Sequence, residues 1–351
     1  MKTKSFYFDL PADLIAQYPP PERGTSKLLV LNRKSGKIVH TAVSQIANIV
    51  KCGSLLVFNN SKVRKARIFA ADKKTGALLE FLFLKKISET QWCVMLKKSR
   101  KYESGRQFIF PQNIEGVLKG SIEDLRMLQF ETPITDDYLD KCGHIPLPPY
   151  IKRSDEQSEI FDDSIRYQNV FAKNIGSAAA PTAGLHWTNE MMQSLSLSDI
   201  ETAFVTLHVG AGTFFPVRSE NIEDHKMHSE EYFIDNETAV KIERAKKDGR
   251  KIIAVGTTAL RTLESAYLNG TLQQGSRSTS IFIYGDYKFK CVDHLFTNFH
   301  TPESTLLMLV SSFTGALSNA EDGRKLIMHT YGEAIKKGYK FFSYGDAMLI
   351  V

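Results

Sequence analysis

Short apolar runs, cut by Gly, Pro, Asn and Asp turns, alternate with amphipathic stretches along the chain, and their texture changes twice. Before Asn60, Lys27-Leu-Leu-Val-Leu31 predicts a short strand, Gly36 a turn, and Gly53-Ser-Leu-Leu-Val-Phe-Asn59 a buried strand. From Lys62 to Phe130 the apolar runs are short and close together: Ala77 to Leu84 after the Lys74-Thr-Gly76 turn, Gln91 to Leu96, Gln107 to Phe110, and Leu125 to Phe130. Close turns without a helical period predict a small antiparallel barrel. A Pro-rich passage, Ile145-Pro-Leu-Pro-Pro149, and an acidic stretch from Ser154 to Asp163, read as a solvated loop, separate it from the remainder of the chain.

Beyond that point strands and helices alternate again. Phe204 to Val209 reads as a strand, Thr238 to Asp248 as an amphipathic helix stopped by Gly249, and Lys251 to Val255 as a buried strand. Gly256-Thr-Thr258 leads into a predicted helix from Ala259 to Leu268, and Asn269-Gly270 stops it. Thr301 and Pro302 look like an N-cap and first helical residue for a helix from Glu303 to Phe313. A further helix is expected from Glu321 to Lys337, closed by Gly338, and a last strand from Lys340 to Tyr344, broken at Gly345-Asp346. The expected fold class is therefore α/β: a discontinuous α/β domain (residues 1–61 and 149–351) with an inserted antiparallel β-barrel domain (residues 62–148).

The 351-residue length agrees with two domains, and 42% hydrophobic with 24% charged residues is ordinary for a soluble globular protein. No signal-peptide pattern opens the chain and no apolar run reaches membrane-spanning length, so no membrane association is expected. Cys52, Cys93, Cys142 and Cys291 are scattered without a Cys-x-x-Cys pair, which argues against a cysteine zinc site or a disulfide framework and suits a reducing cytoplasm. The net charge of +6 is unevenly spread: Lys62 to Arg126 holds 15 Lys or Arg against 7 Asp or Glu. That segment is either a solvated charged surface or a surface for nucleic-acid phosphates.

Four of the nine histidines lie between His186 and His228, in turns built of small residues. Small residues let a ligand approach the backbone, and histidine moves protons near neutral pH. His208-Val-Gly-Ala-Gly212, Gly256-Thr-Thr258 and Ser343-Tyr-Gly-Asp346 each follow an expected strand, where ligands of open α/β sheets collect. Gly210-Ala-Gly212 lacks the spacing of a dinucleotide fingerprint. His225 and His228, with His186 or His208, admit a zinc reading, but no acidic residue has a clear ligand spacing to them, so no metal is expected. Packed histidines, or acid/base and substrate contacts, are the other readings. Arg23 beside Gly24-Thr25-Ser26 is either a solvated turn or an oxyanion contact, and Asn298-Phe-His300 is a further polar loop.

Ala179-Ala-Pro-Thr-Ala-Gly-Leu-His186, Thr206-Leu-His-Val-Gly210, His225-Lys-Met-His-Ser-Glu230, Val255-Gly-Thr-Thr258, Thr297-Asn-Phe-His300 and Phe341-Phe-Ser-Tyr-Gly-Asp-Ala-Met348 together closely resemble the S-adenosylmethionine:tRNA ribosyltransferase-isomerase family of queuosine synthesis. Leu14-Ile-Ala-Gln-Tyr-Pro19 and Leu28-Leu-Val-Leu31 extend the match, which runs from about Phe8 to Ile350 and is weakest in the barrel. The resemblance implies an α/β domain interrupted by a β-barrel. It also implies a cytoplasmic enzyme, expected as a monomer, that needs no cofactor or metal and consumes S-adenosylmethionine as ribosyl donor. The acceptor it implies is tRNA carrying 7-aminomethyl-7-deazaguanine, and the products are epoxyqueuosine in tRNA, adenine and methionine.

In that chemistry His186 or His208 would transfer protons, and Asp346 would face the sulfonium or a ribose hydroxyl. Thr182, Gly184, Gly210, Gly212, Thr257 and Thr258 would shape the substrate pocket, with Arg23, His225, His228, Asn298 and His300 as further substrate contacts. Asn60 stands where the family usually has Asp, Trp187 where Phe is usual, and Ala211 where Leu is common. Two other classes remain: an RNA-binding protein without catalysis, and a zinc hydrolase built on the four histidines.

Overall fold

The computed structural model describes residues 1–97, 101–122, 124–153, 162–210, 212, 215 and 217–351. The first strands are β1 (Lys27–Leu31), β2 (Ile38–Ala42), β3 (Leu55–Asn59) and β4 (Ser61–Val63). The barrel follows as β5 (Arg67–Asp72), β6 (Leu78–Lys86), β7 (Gln91–Leu96), β8 (Gln107–Phe110), β9 (Ile114–Ile122) and β10 (Leu125–Phe130). Then come β11 (Asn174–Ser177), β12 (Glu201–Leu207), β13 (Glu230–Ile234), β14 (Ile252–Val255), the short pair β15 (Tyr267–Leu268) and β16 (Thr271–Leu272), β17 (Gly275–Thr279), β18 (His294–Asn298) and β19 (Ala347–Ile350). The helices are α1 (Ile46–Ile49), α2 (Asp136–Cys142), α3 (Asp163–Arg166), α4 (Asn189–Leu197), α5 (Asn236–Lys247), α6 (Thr257–Ala266), α7 (Thr305–Gly315) and α8 (Ala320–Lys336).

Nine strands form one sheet in the order β17-β13-β12-β3-β14-β18-β19-β1-β2. β12, β3, β14 and β18 run parallel, whereas β19 enters antiparallel to β18 and parallel to β1. Alternation of side chains sends Leu29, Leu55, Val57, Ala254 and Met348 to one face, where they pack under α5, α6, α7 and α8. Leu28, Leu56, Phe58, Ile253 and Phe296 point to the other face, against Ile46, Trp187 and Leu195. Such two-sided burial explains why the central strands read as unbroken apolar runs.

The inserted strands close into an antiparallel barrel in the order β10-β7-β6-β5-β8-β9, which bears out the expected fold class. Two of its strands escaped the sequence reading. β5 carries a charge at each end, and β9 is weakened by Gly116 and Gly120. Asp72, 1% exposed, is held by the Nε and Nη2 edge of Arg106. At the barrel's foot Arg67 and His144 exchange backbone hydrogen bonds of 3.1 and 2.8 Å.

Four expected elements shift, one of them the strand expected from Phe204 to Val209, which is β12 at Glu201–Leu207. The segment from Lys340 to Tyr344 is a buried loop, and the strand is β19, just after it. Its aromatic residues mimic a strand, but Phe342 is left-handed (φ 73°), and Asp346 ties the loop off by accepting from the backbone N–H of Lys340 and Lys27. α7 starts at Thr305 rather than Glu303, because Glu303 is left-handed (φ 57°) and Ser304 is the residue whose hydroxyl accepts from Leu307 N–H. α6 begins at Thr257, two residues early, since Gly256 (φ 96°) serves as its N-cap, and Tyr267–Leu268 leaves the helix for a small hairpin. Of the acidic stretch, residues 154–161 lie outside the described residues. Asp163 is no solvated residue: Arg153 and the Tyr344 hydroxyl both donate to it.

Candidate active site

Register places six segments at one edge of the nine-stranded sheet. Asn59, Leu207, Val255 and Asn298 end the four parallel strands there, and Ala347 pairs with both Asn298 and Leu28, so the loops before β19 and β1 reach the same edge. His208 is the first residue past β12, one position beyond the strand that sequence had extended to Val209. The edge therefore gathers Arg23 to Ser26, Asn60, His208 to Gly210, Gly256 to Thr258, Asn298 to His300, and Ser343 to Asp346.

His186 ends the short 3-10 turn Thr182–His186 and is buried under this edge. The Asn298 amide Nδ2 lies 3.1 Å from its Nε2 and 3.2 Å from the Phe342 carbonyl, which fixes the amide orientation. Nε2 therefore accepts, and Nδ1–H donates to Ser26 Oγ at 3.1 Å. Burial, then the nearby Arg23 charge, pushes the pKa of His186 down to about 4. It is a neutral imidazole with both nitrogens already engaged.

His208 differs. Its ring lies against Gly176, where an added Cβ would be 2.8 Å from Nδ1 and Cε1, and its buried Nδ1 has no partner among the described residues. Burial first, then Arg64, lowers its pKa, with Glu231 opposing, so the ring is neutral at pH 7. Thr258 Oγ1 and Asn298 Oδ1 are likewise buried and unpartnered. Polar atoms left without partners out of water cost about 1–3 kcal/mol each. Three of them, just past β12, in the first turn of α6 and at the end of β18, mark where a polar ligand would sit.

Other expected site residues have structural partners. The two Nη atoms of Arg23 donate to the carbonyls of Leu185, Ile165, Arg166 and Gln168, which commits the guanidinium to holding loops together. Both oxygens of Asp346 accept backbone N–H bonds, at 2.7 Å from Lys27 and 2.8 Å from Lys340, while burial raises its pKa. His300 is buried, pairs with Thr297 Oγ1 at 2.9 Å, and has its pKa pushed down by burial to about 3. Gly184 leaves room for Asn169, whose side-chain atoms would lie 2.5–2.7 Å from a Cβ.

Thr182 is half-buried at the start of the His186 turn, and Thr257 is buried at the start of α6. Gly212 faces His228, whose ring stacks on Phe215, and His225 packs on Phe282. Burial, then the neighbouring His228, lowers the pKa of His225. Among the described residues no group of three or more His, Cys, Asp or Glu stands close enough to hold a metal ion.

Asn60 Oδ1 accepts from Thr206 Oγ1 at 2.7 Å and Asn174 Nδ2 at 3.1 Å. These are oxygen contacts that a carboxylate would also make. Two residues that sequence reasoning missed stand nearby: buried Glu230 accepts from Gly210 N–H at 3.1 Å and from Arg261 on α6. The available signal was a lone Arg inside the otherwise small and apolar stretch Thr257 to Leu263.

The chain matches the family described as "Queuosine biosynthesis protein" over residues 3–350. It is 49% identical to a protein of Treponema denticola and 45% identical to one of Borreliella afzelii, both named S-adenosylmethionine:tRNA ribosyltransferase-isomerase. Those matches cover 100% of this chain, and 100% and 99% of the two relatives. The crystal structure of S-adenosylmethionine tRNA ribosyltransferase from Thermotoga maritima is 33% identical, with a TM-score of 0.56, over 99% of this chain and 100% of that one.

Proposed function

The chain belongs to the queuosine biosynthesis protein family, and from that membership we propose how its site works. The enzyme transfers and isomerises the ribosyl part of S-adenosylmethionine onto the aminomethyl group of 7-aminomethyl-7-deazaguanine in tRNA. Epoxyqueuosine in tRNA forms, and adenine and methionine leave. The observation that carries the siting of this reaction is the trio of buried, unpartnered polar atoms, His208 Nδ1, Thr258 Oγ1 and Asn298 Oδ1, at one sheet edge.

A sulfonium acidifies the adjoining ribose 5′ methylene, so a base can take a proton there and leave an ylide. Departure of adenine then gives a vinyl sulfonium, the tRNA amine adds to it, and closure of the epoxide expels methionine. His208 is the proton carrier in this reading, because its ring nitrogen is unengaged and neutral. His186 is a positioning residue: its bond to Asn298 Nδ2 turns Asn298 Oδ1 into a fixed acceptor for a ribose hydroxyl or the adenine amino group. Asp346 braces the loops before β1 and β19. Burial also keeps water from the reactive intermediates.

The tRNA lies against the basic barrel. A cavity of about 310 Å³ at its foot is lined by Lys65, Arg67, His144 and Arg153 and also by Asp162 and Asp163; Arg153 is taken up by Asp163 and Lys65 by Asp140, which leaves Arg67 as the cation there for a phosphate. Part of the barrel's positive charge is matched internally, as in Arg64–Asp136, Lys73–Glu115 and Arg106–Asp72, which narrows the candidates for phosphate contact. No helix among the described residues is long and apolar enough to cross a membrane. The reading places the enzyme in the cytoplasm, as a monomer that needs no cofactor or metal.

The test supplies purified protein with S-adenosylmethionine and tRNA bearing the aminomethyl base. Adenine release together with the matching mass gain on the nucleoside is expected. Folded protein that leaves the nucleoside unchanged would refute the proposal.

A further inference from the structure

Arg261 carries donors that no described residue takes up. It is 5% exposed, and its Nη1 donates to Glu230, but its Nε and Nη2 are buried without a partner. Those two nitrogens form one edge of the guanidinium, a fork shaped for a planar oxyanion. The same edge is filled elsewhere in this chain: Arg106 holds Asp72 with it at 2.9 and 2.7 Å, and Arg153 holds Asp163 at 2.7 and 3.0 Å. Arg261 lies three residues after Thr258 on α6, a spacing that puts both on one helix face, and Thr258 Oγ1 is also unpartnered. Through Glu230, whose second oxygen accepts from Gly210 N–H, the fork is tied to the loop that carries His208.

We infer that the Nε and Nη2 edge of Arg261 receives the α-carboxylate of the methionyl part of S-adenosylmethionine, with Glu230 holding the guanidinium in place. The inference rests on the reaction proposed above. An α-amino acid suits this pair better than a phosphate does. Glu230 already balances the charge of Arg261, so a dianion would bring uncompensated negative charge to a neutral pair, whereas the ammonium of a zwitterion offsets the charge of its own carboxylate.

The test is calorimetric binding of S-adenosylmethionine and its decarboxylated analogue to three proteins: wild type, Arg261→Met, and the double variant Glu230→Gln with Arg261→Met. Wild type is expected to prefer the carboxylated compound by roughly 30-fold or more, the scale for losing one partner of a buried charged pair. Both variants should lose that preference and keep their affinity for tRNA. The double variant removes both buried charges, so its folding does not depend on a stranded Glu230. Equal binding of the two compounds by wild type, a preference that survives in the variants, or weakened tRNA binding in its place would each overturn the inference. Adenine release by wild type is followed alongside. Release without discrimination rejects the Arg261 assignment alone, and absence of release rejects the reaction itself.

Discussion

Replacing Gly176 by Ala probes the placement of His208 without touching the histidine. The new Cβ would lie 2.8 Å from Nδ1 and Cε1 of the ring and 3.1 Å from Cγ. Carbon contacts become favourable near 3.5 Å, so the ring must withdraw by roughly 0.7 Å. The backbone of Gly176, at φ 153°, is also one that side chains rarely adopt. Misplacing a reacting group by about 1 Å costs on the order of 100-fold in rate, so Gly176→Ala is expected to lower kcat by roughly 10- to 100-fold. Overpacking should also cost about 1–3 kcal/mol of stability.

Single-turnover adenine release, with tRNA carrying the aminomethyl base, measures the chemical step, and a thermal melt confirms folding. The deciding comparison uses a His208→Gln background, where the ring is gone. There the added methyl should change the rate less than about twofold, since coupled residues give non-additive effects. If Gly176→Ala keeps near-normal kcat, or costs as much without His208 as with it, the proton-transfer role given to His208 is wrong.

Asp346→Asn replaces one accepting oxygen with a donor that faces a backbone N–H, at a cost of about 1.5–3 kcal/mol. Thermal melts should show the loss, and an unchanged midpoint with abolished turnover would return the carboxylate to the chemistry. His186 and His300 stay neutral when folded down to about pH 4 and 3, whereas unfolded histidines take up protons below about 6.5. Stability should therefore fall as pH drops from about 6.5 towards 4, by up to about 1.4 kcal/mol per histidine per pH unit. Equal denaturant midpoints at high and low pH in that window would contradict it. Lys97 is exposed and only 3.9 Å from Glu80, while Lys98 lies outside the described residues. Lys97→Glu should weaken tRNA binding and flatten its salt dependence, and a titration across salt concentrations that shows neither moves the RNA surface elsewhere.

Four of the nine strands of the large sheet, β1, β3, β12 and β14, were legible because buried strands are apolar on both faces, as Leu55 to Asn59 and Ile252 to Val255 show, whereas the shorter or more polar β2, β13, β17 and β18 carried no such run. Lys340 to Tyr344 misled for the same reason: its aromatic residues are buried, but from a loop. The histidine loops were readable as loops. What they hold was not, because the partners are distant: His186 depends on Ser26 and Asn298, 160 and 112 residues away. Arg23 and Asp346 look like ligand contacts in sequence, yet their partners are backbone groups that only the folded chain brings near. Glu230 and Arg261 meet across 31 residues, and neither segment announces the other.

The rung between Arg67 and His144 makes the inserted unit a self-contained cassette. Once it has formed, roughly 80 residues behave towards the rest of the chain as a single tight turn, and the span that β3 must cross to meet β12 is effectively halved. Halving a loop saves only about 0.6 kcal/mol of closure entropy, so the parent sheet gains little from the graft and loses little by carrying it. A lineage could therefore reshape or enlarge the cassette, and with it the RNA grip proposed for it, while the sheet edge proposed to do the chemistry stayed in register.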